Sequence, residues 1–116
     1  IVAMKPAEEE HHAAECHCCY CIEGVAGQGF VPPLLRNAPL DATVEVSAEE
    51  AMRVTRRLHR EFGLLVGTSS GANVAAALRV AADLPGGATI VTLLCDRAER
   101  YFSTRLFAER ETETVH

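Results

Sequence analysis

Two clusters in this chain combine residue types and spacings that could do chemistry. Cys16, Cys18, Cys19 and Cys21 fall within six positions and form two overlapping C-x-x-C pairs, with His12 and His17 close by. Thiolates and imidazoles are the ligands of zinc and of iron–sulfur clusters. A tetrahedral site normally draws its ligands from separated segments, so this one would need His11, His12 or a second chain to close. The competing reading is a set of reduced cysteines in an exposed loop. The second cluster is GTSSGAN, Gly67 to Asn73. It offers glycines for close backbone approach, two hydroxyls, and N–H groups at a helix start. That composition suits a phosphate cradle, or a plain helix cap made by Ser69 or Ser70. Taken alone, the cap is the simpler reading. A third stretch, Cys95 to Arg100, brings Asp96 to the end of an apolar run.

The elements around these stretches predict an α/β fold built on a parallel sheet. Ile1 to Met4 is a short apolar run ended by Lys5-Pro6 and reads as a buried strand. Residues 7–15 have helix-forming composition with acids near the start. The loop Gly24 to Gly29 and Pro32-Pro33 follow, then the alternating strand DATVEV, Asp41 to Val46. SAEEAMRVTRRLHREFG is the clearest helix. Ser47 and Glu50 form an S-x-x-E capping box, and Ala51, Val54, Leu58 and Phe62 line one face. Arg53, Arg56, Arg57 and Arg60 take the solvated side, and Gly63 suits the terminating left-handed position. LLVG reads as a short buried strand. A second helix, roughly Gly71 to Leu84, is apolar nearly all round and should be covered on most sides. ATIVTLL, Ala88 to Leu94, is continuously apolar, as strands buried on both faces of a parallel sheet are. In such sheets ligands bind beyond the carboxyl ends of the strands. That places three loops at the chemistry, Lys5-Pro6 onward, Gly67 to Asn73 and Cys95 to Arg100, of which the middle one is the most suggestive.

Composition narrows the class. The 116 residues suffice for one domain, and 48% are hydrophobic. The net charge is −5, with basic residues scattered or on one helix face, which argues against nucleic-acid binding. No apolar run approaches the roughly 20 residues of a membrane span, and no signal peptide is visible. Five cysteines, four of them crowded together, do not make a secreted disulfide framework. A Cys18–Cys19 bridge would be strained, and Cys95 reads as a small core residue. These features lead us to expect a cytoplasmic protein.

EGVAGQGFVPPLL, VSAEEAMRVTRRLHREFGLLVGTSSGANVAAALRVA and ERYFSTRLF together resemble successive segments of the cysteine synthase and cystathionine β-synthase family, the fold-type-II pyridoxal-phosphate enzymes. The resemblance runs from IVAMKPAE to Phe107 in the family's order and spacing, and corresponds to the C-terminal third of such an enzyme. It implies a parallel-sheet three-layer sandwich forming part of the large domain. Residues 1–116 would be the C-terminal portion, 7–23 a variable Cys/His-rich insertion, and 108–116 a frayed tail.

By that resemblance the cofactor is pyridoxal 5'-phosphate, and the first serine of the family's GxSSGA motif falls on Ser69. Its hydroxyl would hydrogen-bond the pyridine nitrogen, leaving Ser70 to serve the helix. The glycine loop beginning at Gly24 would lie near the cofactor and shape the substrate pocket, though it carries one residue more than the family's usual run. Asp96 matches the family's aspartate near the ring, while Cys95, Arg97 and Ala98 depart from its usual Pro-Asp-Ser-Gly. The implied activity is β-elimination and replacement on an O-activated serine with a sulfur nucleophile, by a homodimer acting on a small amino acid. The lysine that carries the cofactor is not matched, because Lys5 is the only lysine and falls elsewhere. The expectation is a segment inactive by itself, working with an N-terminal remainder. The alternative is a small metal-binding or redox-sensing domain using Cys16 to Cys21.

Overall fold

The computed structural model describes residues 1–7 and 33–101, and all structural statements below concern those residues. The Cys16–Cys21 cluster, His11, His12, His17, the predicted helix 7–15 beyond Ala7, the Gly24–Gly29 loop and the tail 108–116 lie outside them.

Two parallel strands form the sheet. β1 (Val2–Pro6) pairs with β2 (Ala42–Val46) in the register Met4 to Val44 and Lys5 to Glu45. Side chains alternate between the faces of a strand. Met4, Val44 and Val46 therefore point toward the helices, and they pack on the core there. Lys5 and Glu45 meet on the other face, 3.6 Å apart and about half exposed. β1 is only partly covered, so the buried strand expected at Ile1 to Met4 is present one position later and more exposed. A short helix, α1 (Pro33–Arg36), precedes β2, with proline at the first helical position where its missing N–H costs nothing.

α2 (Ala48–Phe62) follows the sequence closely. Ser47 is its N-cap, accepting the Glu50 N–H at 3.1 Å, and Gly63 ends it at φ 66°. The Glu50 carboxylate does not complete a reciprocal box. It pairs instead with Arg79 on the next helix, and Arg79 also reaches the Glu45 carbonyl. Ala51, Val54 and Leu58 are buried as expected, but Phe62 is 66% exposed because it sits in the last turn, past the edge of the core.

α3 (Thr68–Asp83) starts three residues before its predicted position and lies against both strands and α2. Gly71, Ala72, Ala75 and Ala76 are buried on its packed side. A Cβ on Gly71 would collide with Thr55 Oγ1 and the Ala51 carbonyl, and would lie 2.8 Å from the Thr55 nitrogen. Glycine is what lets the two helices approach this closely. Covering on most sides, expected from composition, holds only for the first half: Leu78 is 58% exposed.

Two expected strands are absent. LLVG makes a single antiparallel bridge, Val66 to Arg97, outside the sheet. Ala88 to Leu94 joins no ladder and is exposed throughout. A strand needs a neighbour to receive its backbone groups, and among the described residues none lies beside this run. The α/β class and the parallel pairing stand as expected.

Candidate functional site

The first turn of α3 is the best-organised polar point among the described residues. Its N-cap is Gly67, which has no side chain to offer, so the opening N–H groups of the helix have no side-chain cap. Thr68, Ser69 and Ser70 are all buried behind it. This overturns the simple capping role for either serine.

A second segment is sutured along this turn, largely through main-chain groups. Gly67 N–H donates to the Asp96 carbonyl at 2.7 Å, and Ala98 N–H donates to the Leu65 carbonyl at 3.0 Å. Cys95 N–H donates to Ser70 Oγ at 2.9 Å. One turn further along α3, Asn73 Nδ2 donates to the Leu93 carbonyl at 3.0 Å. His59 Nε2 contacts the Val66 carbonyl at 2.7 Å, which fixes the same corner from the α2 side. Residues 65–67 and 93–98 are thus held together around the start of α3.

Of the residues singled out from sequence, Ser69 and Asp96 are brought to this corner. Ser69 is 5% exposed, and its Oγ is a buried polar atom with no hydrogen-bond partner. Such a group costs about 1–3 kcal/mol when left unsatisfied. Ser70 is satisfied by Cys95, and Asp96 is half-buried at the turn. Gly24, the third candidate, lies outside the described residues.

Cys95 corrects the expectation of a small core residue: it is a free, exposed thiol, with Asn73 Nδ2 3.5 Å from its sulfur. Arg97 points outward and pairs with Glu99 at 3.1 Å. Lys5 is distant in role, held by Glu45 on the outer face of the sheet. Among the described residues no group of histidine, cysteine or acidic side chains could hold a metal ion. No helix there is long and apolar enough to cross a membrane.

Sequence reasoning missed Gly67 as the cap, Asn73 as a strap and Gly71 as the helix-crossing residue. The signal for Gly71 was available: alanines at 72, 75 and 76 make a small-residue stripe, which allows backbones to approach. The role of Asn73 left no local signal, since its partner is twenty residues away.

The Ser69 hydroxyl, buried and unpartnered in the first turn of a helix without a side-chain cap, is able to donate or accept a further hydrogen bond. Comparison with known proteins gives the family. The family model described as pyridoxal-phosphate dependent enzyme matches residues 5–96. The chain is 42% identical over 87 residues to a cysteine synthase of Helicobacter pylori (strain J99 / ATCC 700824), covering 75% of this chain and 28% of that protein. Among solved structures, the O-acetylserine dependent cystathionine β-synthase of Helicobacter pylori superposes with a TM-score of 0.74 at 33% identity. That match covers 91% of this chain and 34% of the other. An O-ureido-L-serine-bound mutant of O-ureido-L-serine synthase gives 0.79 at 36% identity, over 94% and 34%. The chain therefore spans about a third or less of the length of the proteins it matches.

Proposed function

The chain belongs to the family of pyridoxal-phosphate-dependent enzymes, of the fold-type-II kind found in cysteine synthases, and on that premise we propose that it is the C-terminal segment of a cysteine synthase-like enzyme. The activity of the assembled enzyme is elimination and replacement at the β-carbon of an O-activated serine, with a sulfur nucleophile. One observation carries the reading: the buried, unpartnered Ser69 Oγ at the start of α3.

Pyridoxal phosphate, when bound, supplies an electron sink for loss of the substrate's α-proton and departure of its β-substituent. The residues of this chain set how strong that sink is. With the cofactor bound, Ser69 would offer its hydroxyl proton to the ring nitrogen and keep it, because an alcohol is far too weak an acid to transfer it. The N-terminus of α3 carries partial positive charge at the same place. Both features would disfavour a proton on that nitrogen, unlike a carboxylate partner, and a neutral ring would be the milder sink suited to β-replacement. Ser70, by accepting from Cys95, keeps the first turn of α3 in register so that Ser69 stays aimed. Asp96 fixes Gly67 through its carbonyl and brings a carboxylate to the same corner.

Turnover needs the N-terminal remainder, because Lys5 is the only lysine and is committed to the outer face of the sheet. The test is reconstitution. The isolated chain treated with pyridoxal phosphate and borohydride gains no site-specific lysine label. A chimera joining it to the part of the Helicobacter pylori cysteine synthase outside the match binds cofactor, with visible absorbance. In that chimera Ser69→Ala lowers cofactor affinity or turnover at least tenfold. Full cofactor binding and activity in the Ser69→Ala chimera would remove the assignment.

A further inference from the structure

The peptide that joins Val66 to Gly67 is gripped at both ends. Its N–H donates to the Asp96 carbonyl at 2.7 Å, and its carbonyl lies 2.7 Å from Nε2 of His59. A carbonyl oxygen only accepts, so the proton of this contact sits on Nε2. The arrangement follows from the bridge between Val66 and Arg97. Leu65 and Gly67 turn their backbone groups toward residues 98 and 96, so the Val66 carbonyl between them is turned the other way, toward α2. His59, half-buried in the last turn of α2, meets it there. This one peptide plane opens α3: Gly67 is the N-cap, and its own carbonyl receives the N–H groups of Ser70 and Gly71 at 3.1 and 3.4 Å.

We propose that His59 is the positioning residue for Ser69, holding the Val66–Gly67 peptide so that the buried hydroxyl two residues on keeps one direction. The inference rests on the cofactor reading of Ser69 and adds what sets its aim. A side-chain cap would fix the opening turn locally, but Gly67 has none to give. The orientation of the turn is therefore set by the groups that this peptide bonds. Rotating the plane would break the bond to Asp96 and swing the first turn of α3, with Ser69 on it. The His59 ring has no comparable duty elsewhere in α2. Gly63 ends that helix, its N–H and that of Leu64 returning to the carbonyls of His59 and Leu58. The crossing of α2 and α3 is made by the bare backbone at Gly71.

The experiment reads the grip and the cofactor separately. On the 116-residue chain, nitrogen NMR shifts of the His59 ring report the proton on Nε2, and amide exchange is followed residue by residue. His59→Leu speeds exchange at Gly67 by about tenfold and leaves Val54 and Thr55 in the middle of α2 unchanged. His59→Gln, which keeps a donor at similar reach, restores slow exchange. In the chimera with the Helicobacter pylori cysteine synthase portion, His59→Leu weakens cofactor binding and shifts the absorbance band of bound pyridoxal phosphate, and His59→Gln recovers both. The Ser69→Ala background shows whether His59 acts through Ser69. There His59→Leu has no further effect on cofactor binding, whereas a general loss of stability would add in full. The positioning role is overturned by unchanged exchange at Gly67, by faster exchange spread evenly over α2, by a glutamine no better than leucine, or by equal losses in both backgrounds. The two readings also fail differently. A silent Ser69→Ala overturns the cofactor reading, while a silent His59→Leu beside a damaging Ser69→Ala overturns the positioning alone.

Discussion

Ser70 accepts the backbone N–H of Cys95 at 2.9 Å, while the hydroxyl of its neighbour Ser69, also buried, accepts and donates nothing. Adjacent residues of one type thus have opposite energetic signs. In the chain alone, Ser69→Ala removes an unsatisfied group and raises stability by about 1 kcal/mol. Ser70→Ala strands the Cys95 N–H and lowers stability by about 1–2 kcal/mol. Urea unfolding of the two variants separates them, and equal destabilisation by both would contradict the assignment.

The closeness of α2 and α3 at Gly71 predicts that Gly71→Ala destabilises by about 1–3 kcal/mol, since the new methyl meets backbone as well as the Thr55 hydroxyl. Thr55→Ala removes the hydroxyl but not the Ala51 carbonyl or the Thr55 nitrogen. The double variant therefore recovers only part of the loss. Thermal melts of the four-member cycle measure this.

Gly63 ends α2 at φ 66° with open space around it, so substitution there is a matter of backbone conformation and not of clash. Gly63→Ala costs about 1 kcal/mol and Gly63→Asn less, as asparagine tolerates the left-handed region. The order of the two midpoints in urea is the readout.

Arg57 donates two hydrogen bonds to Glu61 across one helical turn and holds its carboxyl below the ordinary range. A lowered folded-state value means that the pair stabilises the helix above the ordinary glutamate value, about 4.3, and that this contribution fades as pH falls through the depressed value. NMR titration should find Glu61 protonating later on acidification than an unpaired glutamate, and Arg57→Ala should return it to the ordinary range.

How much could be read in advance depended on the range of the interactions. α2 was legible because its signals are local: Ser47, the apolar spacing from Ala51 to Leu58, and Gly63 each act within a turn or two. Ser69 was identified through resemblance, while its lack of a partner emerged only from packing. Residues 64–67 and 88–94 misled because an apolar run says that a segment wants burial without saying what buries it. Among the described residues the neighbours that would turn Ile90 and Val91 into a strand are missing, so propensity alone could not be honoured. Cys95 failed for the same reason. It was placed in a core on the strength of a strand that does not form here.

The corner around α3 is fastened mostly by peptide groups. Asp96 and Leu65 take part through carbonyls, Gly67 and Ala98 through amides. Substitution at the exposed Leu65 or Arg97 can thus change the surface of this corner while the main-chain clasp beneath it stays shut. The surface of that corner is therefore able to diversify without any rebuilding of the fastening that joins residues 65–67 to residues 96–98.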